Sequence, residues 1–232
     1  AEGIGRIMLL EGEAPLAVGE TRTVQIRLEG SLPVRSGDRF IVLSYSPVML
    51  IGGGEVLLSR CRRSRELTDG ERALLDALVR HDRAGAVTCW LETQRLPACV
   101  EDVSSALDLS DVEAREVLDA LVRAGSVVAL SGQKSDAVAF VTPALVDTVL
   151  EELASTLREM HAAAPKQTGF TPGEVANVAW PGASETLSSL LFAEGCRRGV
   201  CALEGSEIFD PHSAAAAARL VGEASDLIVS LL

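Results

Sequence analysis

The sequence predicts a multidomain chain, β at its start and mixed α/β after it: an antiparallel barrel or sandwich, then tandem winged-helix domains. Three observations predict this. Apolar residues alternate with polar ones in the first sixty residues, the period of half-buried strands. From residue 67 the period lengthens to that of a helix, and a capping box marks the change. A run of helices closed by a hairpin pattern then occurs twice in succession.

The strands come first. In Thr23–Glu29, Val24, Ile26 and Leu28 alternate with polar neighbours. Arg39–Tyr45 is a second, more apolar strand, preceded by the turn residues Ser36, Gly37 and Asp38. Gly12, Pro15 and Gly19 mark earlier turns, and Gly52, Gly53 and Gly54 read as a turn before a last short strand, Glu55–Leu58. Short strands at this spacing suit an antiparallel barrel or sandwich.

The helices follow. Thr68 and Glu71 form a capping box ahead of the stripe Leu74, Ala77, Leu78. The signature recurs at Ser110 and Glu113, and at Thr171 and Glu174, where Pro172 takes the favoured first helical position. Pro143, after Thr142, opens a long helix to about His161. Each block closes in a hairpin pattern. Val127, Val128 and Leu130 lead through a polar turn, Ser131–Asp136, to Val138, Phe140 and Val141. Val200 and Cys201 lead through Glu204–Ser206 to Ile208 and Phe209. The expected order in both blocks is helix, helix, helix, hairpin. The predicted boundaries are 1–66 for the β part, 67–142 and 143–212 for two winged helices, and 213–232 for the first helix of a truncated third. The chain starts at Ala1 and runs straight into strand-like sequence, so the amino end reads as cut.

Composition narrows the function. The chain has 232 residues, 47% of them hydrophobic and 23% charged, enough apolar material for real cores. No apolar run reaches membrane-spanning length and no signal-peptide pattern opens the chain, so a cytoplasmic protein is expected. The net charge of −12 is uneven. Residues 1–66 carry nine Arg against eight Asp and Glu, residues 67–145 seven basic against thirteen acidic groups, and residues 146–232 five against twelve. A domain that neutralises many phosphates should be basic, and the last two thirds are the opposite.

No chemical centre is visible. No GxxxxGK[ST] phosphate loop is present, and Gly52–Gly54 runs into a strand rather than a helix amino terminus. No nucleophile elbow is found. His81, His161 and His212 stand near predicted helix ends or loops, without metal-ligand spacing. Cys61, Cys89, Cys99, Cys196 and Cys201 are odd in number and make no CxxC, which reads as buried, reduced thiols of a cytosolic protein. The expectation is no catalytic residue, metal or cofactor in this chain.

Gly37-Asp38-Arg39-Phe40-Ile41-Val42-Leu43, then Pro47, then Ile51-Gly52-Gly53-Gly54-Glu55-Val56-Leu57 resembles the end of domain III in selenocysteine-specific elongation factors, the SelB family. Val24–Glu29 fits the same pattern. Met160-His161 through Pro165, then Gly169, then Glu174-Val175 is similar to a passage in that family's second winged helix, with Met160 where an aromatic is common. The resemblance covers essentially the whole chain. It implies an incomplete elongation-factor domain III-like barrel whose opening strand is missing; exposed edges recruit partners, so pairing between copies, or residues supplied by another chain, is expected there. It implies a parent factor with a G domain holding GTP and Mg, which this chain lacks. It implies selenocysteinyl-tRNA, the ribosome and the mRNA selenocysteine insertion hairpin as partners of that parent, in decoding UGA as selenocysteine. No membrane partner is implied.

The rival reading is a winged-helix transcription regulator, whose third helices read the major groove of DNA. Here those helices are expected over Ser110–Ala124 and Ser184–Glu194. The first carries Asp111, Glu113, Glu116 and Asp119 against Arg115 and Arg123; the second carries Glu185 and Glu194 and no basic residue. Such helices repel phosphate, which favours a spacer. The candidate RNA contacts are therefore Arg60, Arg62, Arg63 and Arg65, after the last strand, and Arg197 and Arg198, at the second wing. As solvated surface arginines they would need no ligand; as a cluster they suit phosphate through the guanidinium fork.

Overall fold

The computed structural model describes residues 1–10, 15–63, 66–132, 137–165 and 167–213. Gly12, Arg65, most of the first hairpin turn and the tail helix expected after Ser213 lie outside them. Eight strands and seven helices are found among the described residues. They divide into two compact units, Ala1–Gln94 with Val100–Ala124, and Arg95–Cys99 with Gly125–Leu232.

In the first unit, β1 (Gly5–Leu9) pairs antiparallel with β2 (Val24–Leu28), and β3 (Arg39–Leu43) with β4 (Leu50–Glu55). These are two separate two-stranded sheets among the described residues, and no barrel closes. The last strand also differs from expectation. Gly52–Gly54 lie inside β4 rather than in a turn before it. Packing explains two of these glycines: a Cβ at Gly53 would stand 2.6 Å from the Phe40 carbonyl oxygen, and one at Gly54 would stand 2.9 Å from the Phe40 ring. Gly37, at φ +87°, is the residue that needs left-handed freedom, at the turn into β3.

Four helices complete this unit: α1 (Asp69–Val79), α2 (Arg83–Glu92), α3 (Val100–Leu107) and α4 (Asp111–Arg123). The first block thus holds one helix more than the expected three. The boundary between α1 and α2 is hidden because no Gly or Pro marks it. His81 makes the break instead, at φ +54°, and Asp82 caps α2 through the Gly85 amide. The buried stripe of α4, Ala114, Leu118 and Leu121, has the helical spacing of a core-facing side.

The second unit contains the hairpin β5 (Val128–Ser131) and β6 (Val138–Val141), then α5 (Pro143–Ala163), α6 (Pro172–Ala179), α7 (Glu185–Arg197) and the hairpin β7 (Ala202–Glu204) and β8 (Glu207–Phe209). Val146, Val149, Leu150, Leu153 and Leu157 run down one side of α5 into its core. Phe170, Trp180, Leu190, Leu191 and Ile208 fill the same core. Leu130, Ala139 and Val141 of the first hairpin join them, and α7 packs on both β5 and β6.

The element order repeats. Ala98, just before α3, exchanges two backbone hydrogen bonds with Phe140 of β6, at 2.9 and 2.7 Å. Phe170, just before α6, exchanges two with Ile208 of β8, at 2.9 and 2.8 Å. Helix, single-pair strand, helix, helix, hairpin is the order of a winged helix, and it occurs twice. All three capping boxes form. The Ser110 amide and hydroxyl hold the Glu113 carboxyl below its usual range, and Thr171 does the same for Glu174. These two boxes therefore stabilise their helices above the ordinary carboxylate range and release as pH falls through the lowered values.

Ser184 caps α7, its hydroxyl accepting from the Leu187 amide at 3.2 Å. Ser184→Ala leaves that amide without its partner and costs about 1 kcal/mol. The check is a lower urea midpoint at unchanged slope. An unchanged midpoint would mean that packing alone starts α7.

Candidate nucleic-acid interface

The segment after β4 is anchored through its backbone and leaves its arginines outside. Gln25, buried in β2, donates from Nε2 to the Arg62 carbonyl at 2.8 Å and to Cys61 Sγ at 3.1 Å. Ser59 donates from its amide and hydroxyl to Asp108, at 2.6 and 2.5 Å. Arg60, Arg62 and Arg63 are exposed on this tether. The Arg62 side chain is 75% exposed and stands 3.6 Å from Glu71, a loose ion pair in water. Arg65 lies outside the described residues.

The strand register adds residues that the linear reading missed. Arg6 of β1 stands directly opposite Arg27 of β2. Arg27 also donates from Nε to Gln25 Oε1 at 3.0 Å, so the amide that holds the Arg62 carbonyl holds this arginine too. Two arginines facing across strands place like charges side by side on this hairpin. The signal was available only once the hairpin register was known.

Arg197 and Arg198 are placed differently. Both are bound to Glu194, a residue only 4% exposed. Arg197 donates from Nε at 2.9 Å and from its terminal nitrogen, and Arg198 donates from Nε at 2.6 Å. Arg198 also reaches Asp147 of α5 at 2.6 Å. Burial raises the Glu194 pKa, but the Arg197 and Arg198 hydrogen bonds outweigh it and the carboxyl stays below its usual range. Any phosphate would have to compete with this carboxylate.

Neither third helix presents a basic face. The exposed side of α4 carries Asp111, Glu116 and Asp119 beside Arg115 and Arg123. On α7 the exposed residues before Arg197 are Glu185, Thr186 and Ser189. Glu194, expected among the surface charges of that helix, points inward because it shares a side with Leu190 and Leu191. One side of α7 lies on its own block and another on β5 and β6, so little of it is left for a groove.

The histidines sit in structural surroundings. His161 packs edge-on against Phe170, with ring centres 4.9 Å apart, and its Nε2 accepts from the Asp210 amide at 3.4 Å. His81 and His212 are exposed. No helix among the described residues is long and apolar enough to cross a membrane.

No family model and no curated protein matches this chain. Among solved structures, the chain is similar to the mRNA-binding domain of elongation factor SelB from E. coli, solved in complex with SECIS RNA, at 13% identity and a TM-score of 0.39, over 55% of this chain and 96% of that one.

Proposed function

We propose that this chain is the carboxy-terminal part of a selenocysteine-specific elongation factor, acting as an arm between a tRNA-bearing β part and an mRNA-binding end. In this reading residues 1–66 belong to the domain III-like part and residues 67–142 and 143–212 are winged-helix modules. Residues 213–232 open a third. GTP and Mg belong to a G domain elsewhere in the parent factor. The observation that carries the reading is α7: a helix covered by the preceding hairpin, and without basic side chains on its open face, suits a spacer better than a groove reader. The motif resemblance of residues 37–57 supports the assignment of the β part. Exposed Ile41, Leu50 and Ile51 on β3 and β4 support a sheet that is covered in the parent or paired between copies.

RNA contact then runs through Arg60, Arg62, Arg63 and Arg65, with Arg6 and Arg27 nearby in the register. The test is fluorescence anisotropy of this chain with transfer RNA, the selenocysteine insertion hairpin and duplex DNA, each across a salt series. Transfer RNA should bind best. Replacing the four linker arginines by Ala should weaken it and lower the salt slope by roughly one per lost phosphate contact. Replacing Arg115 and Arg123 should change little. Duplex DNA bound tighter than about 1 µM, and lost with Arg115 and Arg123, would overturn the spacer reading in favour of a transcription regulator.

A further inference from the structure

Helix α7 ends in a Schellman turn. Gly199 takes the left-handed position at φ +72°. The Val200 amide donates to the Gly195 carbonyl at 2.8 Å, and the Gly199 amide to the Cys196 carbonyl at 3.1 Å, the two-bond pattern of that turn. The turn folds the chain back on the last helical residues. Cys201, just after it, comes to rest with its Sγ 3.6 Å from Sγ of Cys196. Gly195 makes room, since a Cβ there would stand 3.0 Å from the Cys201 sulfur. Of the five cysteines, all expected to be buried, only Cys201 is; Cys89, Cys99 and Cys196 are partly buried and Cys61 is exposed.

The first block has a left-handed glycine at the matching place, without the thiols. Gly125, at φ +76°, follows α4 as Gly199 follows α7. Matching the two glycines places Val122 where Cys196 stands and buried Val127 where Cys201 stands. Two valines satisfy the packing at that place in the first block. A facing pair of thiols is therefore a property that packing does not require.

We infer that Cys196 and Cys201 form an oxidisable dithiol, a modification site that hydrogen peroxide converts to an intramolecular disulfide. The partly exposed Cys196 thiolate attacks one peroxide oxygen, the O–O bond breaks, and water leaves once the hydroxide takes up a proton. Cys196 is then a sulfenic acid. The Cys201 sulfur attacks it and the S–O bond breaks. The Cys201 proton goes out with the hydroxide as a second water. Two thiols and one peroxide become one disulfide and two waters. The sulfur atoms must close by about 1.5 Å to reach bonding distance.

The electrostatics assign the two roles. The hydrogen bond from the Cys201 thiol brings the Cys196 pKa down to about 7, against burial, with help from the Leu203 amide. The same hydrogen bond, and then burial, push the Cys201 pKa up. The accessible sulfur is thus the nucleophile and the buried one resolves. Cys89 is the opposite case, pushed up by burial and then by Glu92 and Asp82. The disulfide would join the last turn of α7 to the start of the second wing, independently of any nucleic acid.

The experiment uses the whole reduced chain, treated with hydrogen peroxide, alkylated with N-ethylmaleimide, digested and mapped by mass spectrometry. Expected is a Cys196–Cys201 link with the loss of two hydrogens, and labelled Cys61, Cys89 and Cys99. In the reduced chain Cys196 should be alkylated ahead of Cys89. Its rate should rise about tenfold per pH unit below pH 7 and level off above it. In Cys201→Val, Cys196 should accumulate sulfenic acid, trapped by dimedone. Peroxide-treated wild-type chain with both thiols still alkylatable, or linked mainly through Cys61, overturns the proposal. This map decides the matter even if Cys201→Val does not fold.

Discussion

Replacing both Arg197 and Arg198 by Ala is expected to destabilise the second unit by about 2–3 kcal/mol at neutral pH. Glu194 is 4% exposed, and both guanidinium groups are paired with it. Breaking a fully buried pair costs more. Here the cost is smaller because the arginines reach solvent, Arg197 being 67% and Arg198 36% exposed along their side chains. The pH dependence is the sharper part. In the native chain the folded pKa of Glu194 lies below its unfolded value. It therefore contributes stability that is fully present above the unfolded carboxylate range and is lost as pH falls through the lowered value. In the variant the carboxylate keeps its burial and loses its cations, so it takes up a proton more readily. The difference between the two chains should shrink as pH falls toward 4. Urea melts at pH 7 and near pH 4 measure this directly. An equal deficit at both would show that the arginines act by packing rather than by charge.

Leu153→Ala should have a still larger effect, about 3 kcal/mol within a span of 2–5. Leu153 is fully buried at the middle of α5, and its Cδ2 would stand 3.0 Å from a Cβ at Gly195. It fills the space that the missing side chain of Gly195 leaves where α7 comes close. Truncation opens a cavity that the glycine cannot refill. Leu203→Ala, on a residue 54% exposed in β7, is the control, expected within about 0.5 kcal/mol. Urea melts of both variants give the comparison. Similar small losses in the two would mean that α5 and α7 are less closely seated than described.

The helical signals were legible because they are local. Thr68 with Glu71, Ser110 with Glu113 and Thr171 with Glu174 each lie within one turn, and each forms the predicted pair of bonds. The repeat was legible in the same way, through Val127 and Val128 in one block and Val200 and Cys201 in the next, each opening a hairpin pattern. What escaped the sequence depends on residues far apart. Gly53 and Gly54 of β4 looked like part of a turn because their cause is Phe40, on the opposite strand. The break between α1 and α2 was hidden because His81 adopts a conformation usually left to Gly or Asn. Glu194 read as a surface charge because its partners come after it and its side of α7 is fixed by the core. The pairing of Arg6 with Arg27 needed the register, and the closeness of Cys196 to Cys201 needed the turn between them.

The seating of α7 on β5 and β6 has a consequence for synthesis on the ribosome. Leu130, Ala139 and Val141 leave the exit tunnel before α7 exists, and all of α5 and α6 must be made in between. At about 5–20 residues per second, this hairpin waits a few seconds for the helix that covers it. Its apolar side is open during that interval, and so are the backbone groups along its outer edge. The nascent chain is then most exposed to chaperone capture or to pairing with a neighbouring nascent chain, and the arrival of Leu190 and Leu191 ends that exposure.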